Sequence, residues 1–190
     1  MCIRDSHGEI TYTIGGDHPS DEFRINPFSG NLKVARKLDR ETVEVYILNI
    51  SASDHGTPPL SSFVEVYVNV LDKNDNRPFF SQSVYTASIS EAATLQSSIA
   101  TVLATDKDFG TNALITYTIL SGNSDRTFSI YPNGTIYNLK VFDREKKSSY
   151  LLTVMARDKA EPVIRQLSST TVVQLTITDI NDNSLSLIHI

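Results

Sequence analysis

Val64-Glu65-Val66-Tyr67-Val68-Asn69-Val70-Leu71-Asp72-Lys73-Asn74-Asp75-Asn76 is the stretch that decides the fold. Its first half alternates. Val64, Val66, Val68 and Val70 fall on one side of an extended chain, and Glu65, Tyr67 and Asn69 fall on the other. A period of two implies a β-strand with one buried face. The second half is a run of Asp and Asn, turn-forming residues that end a strand. The same order returns later in the chain. Val173, Leu175 and Ile177 face inward, and Asp179-Ile180-Asn181-Asp182-Asn183 follows, 107 positions after the first Asp/Asn run.

Further repeats flank this pair. Gly8-Glu9-Ile10-Thr11-Tyr12-Thr13-Ile14 returns as Ala113-Leu114-Ile115-Thr116-Tyr117-Thr118-Ile119, at an offset of 105. Leu38-Asp39-Arg40-Glu41 returns as Phe142-Asp143-Arg144-Glu145, and Ala52-Ser53-Asp54 as Ala156-Arg157-Asp158, both at 104. The three extra residues fall in the loop after Asp158. Four motifs in one order at a nearly constant offset are two copies of one module. Tyr46, Leu48, Ile50 and Ala52 alternate, as do Tyr150, Leu152, Val154 and Ala156. Turn residues punctuate the runs at Asn26-Pro27-Phe28-Ser29-Gly30, His55-Gly56-Thr57-Pro58-Pro59 and Pro132-Asn133-Gly134. No long stretch has helical periodicity. The class is all-β, with each module an antiparallel sandwich.

The copies are unequal. Copy two carries two further predicted strands, 84–90 and 98–104, before Ala113. Copy one begins at His7, already at the level of Ala113, and so lacks them. The expected organisation is a partial repeat at 7–76 and an essentially complete one at 77–184. A sandwich without its first two strands exposes unpaired edges, so copy one is expected to be frayed or unstable in isolation.

Residues 1–6 and 185–190 are read as not belonging to either copy. One codon choice for Met1-Cys2-Ile3-Arg4-Asp5-Ser6 is ATG TGT ATA AGA GAC AG. The reverse complement, read on, encodes Leu185-Ser186-Leu187-Ile188-His189-Ile190. One inverted DNA repeat at both ends is read as a cloning or library scar, similar to a transposase adaptor, so both ends are set aside. Cys2, the single cysteine, goes with them, which leaves no disulfide framework or cysteine zinc site. The length of 190 residues allows one large or two small domains. Charged residues are 21% and hydrophobic residues 40%, the balance of a globular chain. The net charge is −5, and no Lys/Arg cluster forms a phosphate track, which argues against nucleic acid. No apolar run reaches the ~18–20 residues that cross a bilayer.

The chemistry lies in carboxylates. Asp39, Glu41, Asp72, Asp75, Asp106, Asp108 and Asp158 lie in the motifs, and the basic residues among them are Arg40, Lys73 and Lys107. In sandwiches joined end to end, the lower loops of one module and the upper loops of the next meet at the link. Carboxylates gathered there repel and require cations. Hard oxygen ligands of this kind suit Ca²⁺ with six to eight ligands better than Mg²⁺, which demands a tight octahedron. Taken singly, each motif is more often a solvated turn; their paired recurrence favours the metal. Asp106-Lys107-Asp108-Phe109-Gly110 begins like an EF-hand, but Thr111 stands where that loop needs Gly and Tyr117 where it needs Glu.

These motifs resemble the cadherin superfamily, with a weaker likeness to its Fat, Dachsous and protocadherin-like members. Asp72-Lys73-Asn74-Asp75-Asn76-Arg77-Pro78 looks like the D-x-N-D-N-x-P link. Asp39-Arg40-Glu41 looks like D-R-E, Asp106-Lys107-Asp108-Phe109-Gly110-Thr111-Asn112 like D-x-D-x-G-x-N, Ala156-Arg157-Asp158 like A-x-D, and Ser90-Glu91-Ala92 like x-E-x. The resemblance implies tandem Greek-key sandwiches and about three Ca²⁺ at the junction. Asp39, Glu41, Asp72, Asp75 and the carbonyl of Lys73 would serve the two ions nearer copy one, with Asp108 bridging. Asn74, Asp106, Asp108, Asp158 and the carbonyls of Asn76 and Asn112 would hold the third. Copy one's counterpart of Glu91 falls in its missing segment. Glu91, Asp143, Glu145, Asp179, Asn181 and Asp182 would form half of a following site, and Asp54 would remain from a preceding one.

The function so implied is Ca²⁺-dependent cell–cell adhesion or recognition. Ca²⁺ stiffens a rod-like array on the extracellular side of the plasma membrane, and the partners are other cadherin ectodomains, homophilic or heterophilic. Membrane attachment would come through another part of the parent protein. The alternative is a calcium-independent β-sandwich that binds a protein ligand. An enzyme is disfavoured. No G-x-S-x-G or phosphate loop occurs, His7, His18 and His55 are scattered, and the carboxylates lie at a domain end. Two glycosylation sequons occur, Asn49-Ile50-Ser51 within a predicted strand and Asn133-Gly134-Thr135 in a turn, the second being the better candidate.

Overall fold

The computed structural model describes residues 9–15 and 21–181 and divides into two compact units, 1–72 and 73–190. The two terminal hexapeptides lie outside the described residues, as do His7, His18 and Asp182.

Unit 1 contains β1 (Ile10–Gly15), β2 (Phe23–Ile25), β3 (Leu32–Val34), β4 (Val45–Asp54) and β5 (Ser61–Asn69). The first, fourth and fifth form an antiparallel sheet with β4 in the centre, and β2 pairs with β3. The alternation in β4 buries Tyr46 and Leu48, which pack with Phe23. The Phe23 and Tyr46 rings meet edge to face at 5.0 Å. Val66, Val68 and Val70 pack partly buried against this cluster. Val64, expected on the same inward face, is 58% exposed. The β2–β3 hairpin has only three residues per strand, and its Phe23 and Leu32 share a cluster with Val66, Val68 and Val70 but not with Val64.

Unit 2 contains β6 (Phe79–Phe80), β7 (Val84–Ser90), β8 (Ser98–Thr101), β9 (Ala104–Thr105), β10 (Thr116–Ser121), β11 (Phe128–Ile130), β12 (Thr135–Asn138), β13 (Ser149–Arg157) and β14 (Ser168–Thr178). One sheet runs β10-β13-β14-β7, a second β11-β12-β8, and β6 pairs with β9. Apolar side chains from all of these layers fuse into one core, in which Val102, Ile136, Leu152, Val154 and Val173 are fully buried. This is a β-sandwich. Among the described residues the helical pieces are two 3-10 turns, Gly110–Ala113 and Val163–Arg165, and no helix is long and apolar enough to cross a membrane. The chain order β10 to β14 repeats that of β1 to β5, with the same antiparallel partners for the last two strands.

Two features depart from a simple antiparallel reading. β7 runs parallel to β14, from Val84 opposite Val172 to Ser90 opposite Thr178. The chain enters as β6, antiparallel to β9, then shifts to the other sheet. There it occupies the edge of β14 that β13 leaves open and satisfies its backbone groups. The expected single strand 98–104 is divided into β8, on β12, and β9, on β6. At the crossing, the Tyr85 hydroxyl accepts from Leu103 N (3.1 Å) and donates to Leu103 O (3.0 Å), while Ala104 N donates to the Tyr117 hydroxyl at 2.9 Å. Gly134 turns β11 into β12 with φ +84°, and a Cβ there would lie 2.1 Å from Val102 O, so only glycine fits.

Candidate metal centre

The Asp/Asn link begins unit 2 and folds against the loop between β9 and β10. The backbone N–H of Asn76 donates to both oxygens of Asp108, at 3.3 and 3.2 Å, and its side-chain amide donates to Asp108 Oδ1 at 2.7 Å. Asp108 is buried despite its charge. Asp75 and Asp108 each offer a carboxylate oxygen within 4.8 Å of the other. Asp75 N donates to Lys73 O at 2.8 Å, which leaves that carbonyl a second lone pair. Asp106 Oδ1 accepts from Asp108 N at 3.1 Å, an Asx turn that orients the loop.

Asp158 ends β13 and is 1% exposed. Ala160 N donates to its Oδ1 at 3.0 Å, and Leu167 N and Asn74 Nδ2 donate to its Oδ2 at 2.8 and 3.1 Å. A carboxylate has about four lone-pair sites, so about one remains. Asn74 Nδ2 also donates to Arg165 O at 2.7 Å. Two acceptors around the amide nitrogen fix the orientation of the side chain. Asn74 Oδ1 is therefore turned away from both, and it is buried without a hydrogen-bond donor. Asp106 Oδ2 is buried without one as well. Burial pushes the Asp106 carboxyl above its ordinary range; the Asp108 N–H opposes this, and the charges of Asp108 and Asp158 add to it.

Oxygens buried without donors cost free energy unless a cation or water meets them. Asn74, Asp106, Asp108 and Asp158 are thus brought together, and they offer hard oxygens only. The donor set fits Ca²⁺. Asn112 belongs to the 3-10 turn that closes the same loop and donates its N–H to Phe109 O at 3.2 Å.

The opposite end of unit 2 carries the second group. β14 leads from the Asp158 end to Asp179 over 11 residues, about 36 Å of extended chain. Glu91 is buried there and accepts from Ile180 N (2.8 Å) and Arg144 N (3.0 Å). Those two N–H groups hold its carboxyl below the ordinary range. Asp179 pairs with the Arg144 guanidinium at 3.1 Å, and Arg144 also meets Glu145 at 3.4 Å. Asp143 is held low mainly by the Lys146 ammonium, 2.6 Å away. Asn181 is exposed at the end of the described residues.

Unit 1 repeats this group. Asp39 accepts from Glu41 N at 3.1 Å and from the Thr42 hydroxyl at 2.8 Å, with Thr42 the larger cause of its lowered pKa. Arg40 lies 3.7 Å from Asp72 and 3.0 Å from Glu44. Glu41 is exposed. Sequence reasoning missed that the arginine of each D-R-E turn pairs with the first aspartate of the following link, although the 104-residue recurrence of Arg40 as Arg144 carried the signal. It also missed the loop-closing work of the A-x-D aspartates. Asp54 accepts from Gly56 N and Leu60 N at 3.0 and 2.9 Å, much as Asp158 does from Ala160 and Leu167.

The cadherin domain family matches residues 4–71 and 85–178. Human Protocadherin Fat 1 is 41% identical over 181 residues, 95% of this chain and 4% of that protein. Mouse Protocadherin Fat 4 is 37% identical over 177 residues, 93% of this chain and 4% of that protein. The chain is thus a small fraction of the length of these relatives. Among solved structures, the extracellular cadherin domains 3–6 of Protocadherin Gamma B2 match with a TM-score of 0.83 at 33% identity, over 94% of this chain and 43% of that one. Mouse Cadherin-23 EC22-24 matches with a TM-score of 0.83 at 33% identity, over 95% and 57%. The chain belongs to the cadherin family, whose domains bind Ca²⁺ and whose members are adhesion proteins rather than enzymes.

Proposed function

We propose that this chain is a two-repeat segment of an extracellular adhesion array whose stiffness depends on Ca²⁺. The observation that carries the reading is the pair of buried acceptors without donors, Asn74 Oδ1 and Asp106 Oδ2, beside the buried carboxylates Asp108 and Asp158. Asn74, Asp106, Asp108, Asp158 and the carbonyls of Asn76 and Asn112 are assigned to one ion. Asp39, Glu41, Asp72, Asp75 and the Lys73 carbonyl are assigned on the sequence pattern to two more, with Asp108 shared. Glu91, Asp143, Glu145, Asp179, Asn181 and Asp182 are assigned to a following site. Bound Ca²⁺ supplies positive charge and shared ligation where carboxylates otherwise repel.

The chain's own groups prepare the site. Asn76 fixes Asp108, Asn74 and Leu167 fix Asp158, and the Asx turn fixes Asp106. Preset ligands lose little freedom on binding. The array so stiffened presents its surfaces to other cadherin ectodomains on the outer side of the plasma membrane, to which the longer parent is attached.

Calorimetric titration with CaCl₂ tests the reading. Extracellular modules bind in the range of about 10⁻⁴–10⁻³ M. Heat in that range is expected, together with a raised melting temperature, and both should be diminished in Asp108→Ala and Asp106→Asn. No heat and no melting shift at millimolar Ca²⁺ would leave a calcium-independent binding module as the better account.

A further inference from the structure

The hairpin tip between β11 and β12 carries a motif that the calcium chemistry leaves unused, Tyr131-Pro132-Asn133-Gly134-Thr135. Gly134 N donates to Tyr131 O at 2.9 Å, and Tyr131 N donates to Thr135 O at 2.9 Å, so the tip is a closed turn. Asn133 is exposed. Thr135 N donates to Asn133 Oδ1 at 3.0 Å, which commits the amide oxygen to the turn and leaves Nδ2 on the other side of the group. Tyr131 stands two residues before the asparagine. One face of its ring stacks on Tyr137, at 4.1 Å between centroids and 20° between planes, and the residue is 41% exposed. An aromatic face backed by a second ring and open to water is an apolar platform, held in place before anything binds it.

We propose that Asn133 is an N-glycosylation site and that the first sugar packs on the open face of Tyr131. This rests on the extracellular reading above. In the transfer, Asn133 Nδ2 forms a bond to C1 of an oligosaccharide carried on a lipid pyrophosphate. The bond from C1 to the pyrophosphate oxygen breaks, and the proton lost by the amide leaves with the lipid pyrophosphate. No oxidation or reduction occurs. The second sequon is a built-in control: Asn49 lies mid-strand in β4, between Gly15 of β1 and Glu65 of β5, and its Ser51 hydroxyl meets that of Thr13 at 2.6 Å.

The test is secretion of the full chain from animal cells behind a cleavable leader, followed by peptide mapping after enzymatic deglycosylation, which converts a glycosylated asparagine to aspartate. Conversion at Asn133 is expected; it should be lost in Asn133→Gln and Thr135→Ala and kept in Asn49→Gln. Removing the glycan from the folded chain should lower the melting temperature by about 4 °C, the shift that a contact of aromatic-pair strength gives a domain of about 100 residues. In Tyr131→Ala that shift should disappear. An unconverted Asn133 in secreted chain overturns the site, and an unchanged shift in Tyr131→Ala overturns the packing. The leader brings the chain into the secretory lumen in every case. A bare Asn133 therefore counts against the modification alone, while the CaCl₂ titration bears on the adhesion reading.

Discussion

β5 and β14 begin from the same pattern and end in different environments. Each pairs antiparallel with the strand before it, and Val66 and Val68 correspond to Val173 and Leu175. In unit 2 those two residues are buried, with 0% and 1% exposed. In unit 1 both are only half-buried, and Phe63 and Val64, earlier in β5, are 74% and 58% exposed. The difference lies in what covers the strand. β14 has β7 along its second edge and the β8, β11 and β12 layer over its face. The described residues of unit 1 contain no counterpart of β7 or β8. Alternation thus decides which face is offered to a core, and burial requires a second layer to accept it.

Truncating one methyl-bearing position in each strand gives the largest effect. Leu175→Ala in the closed core is expected to cost about 3 kcal/mol, whereas Val68→Ala at its half-covered counterpart costs about 1 kcal/mol. Denaturant unfolding of both variants measures the gap. Equal costs would mean that β5 is as well covered as β14, and the comparison would fail. The same experiment on the wild type should show unit 1 unfolding first, since among its described residues the core holds three buried apolar side chains, Phe23, Tyr46 and Leu48.

The next effect changes sign with calcium. At ten times Kd, one independent Ca²⁺ site stabilises unit 2 by about 1.4 kcal/mol. Asp106→Asn should lose much of this, with affinity weakened at least about tenfold. In chelator the same variant should melt higher than wild type, because it removes a half-buried charge that faces Asp108 and Asp158. A melting curve lowered in both conditions would assign Asp106 a purely structural role.

Much of this was legible in the residues. The strand over Val84–Ser90 and the inward set of Val173, Leu175 and Ile177 follow from period two alone, and both are present. The assignment of Asn74, Asp106, Asp108 and Asp158 to one ion came from the resemblance to cadherin motifs, not from any one residue pattern. The break after Thr101 did not, because Val102, Leu103 and Ala104 keep alternating buried, exposed, buried while the backbone changes sheets. Its backbone groups are satisfied by the hydroxyls of Tyr85 and Tyr117, a long-range event with no local pattern. Asn138 was equally hidden. It is fully buried within β12, accepts from Ser97 N and donates to Thr94 O and Lys140 O, so a polar residue that reads as a turn former acts as a clamp in the core.

Acid titration sharpens the comparison further, because Glu91 has no counterpart among the described residues of unit 1. Its folded pKa is lowered. The stability it contributes is therefore present above the unfolded value, near 4.3, and lost as the pH falls through the folded value. Asp106 acts in the opposite sense. Its pKa is raised, so in chelator its penalty is full above the folded value and is relieved as the pH falls toward the unfolded one. Melts of wild type and Glu91→Gln in chelator should differ at neutral pH and converge at the acid end. A constant difference would mean that the Glu91 carboxylate is not what Ile180 and Arg144 recognise.

The smallest effect distinguishes the two D-R-E turns. Three residues after the aspartate, unit 1 places Thr42, whose hydroxyl donates to Asp39, and unit 2 places Lys146, whose ammonium meets Asp143. Lys146 is 84% exposed in its side chain, so water and salt weaken its attraction. Lys146→Thr should shift the melting temperature of unit 2 slightly at low ionic strength and not at all at high salt. Thr42→Val removes a short neutral donor from a carboxylate, and its cost should persist at high salt because no ion pair is being screened. Equal salt sensitivity in the two variants would show that the turns are held by net charge rather than by the individual bonds, and the difference between the units would then lie wholly in their cores.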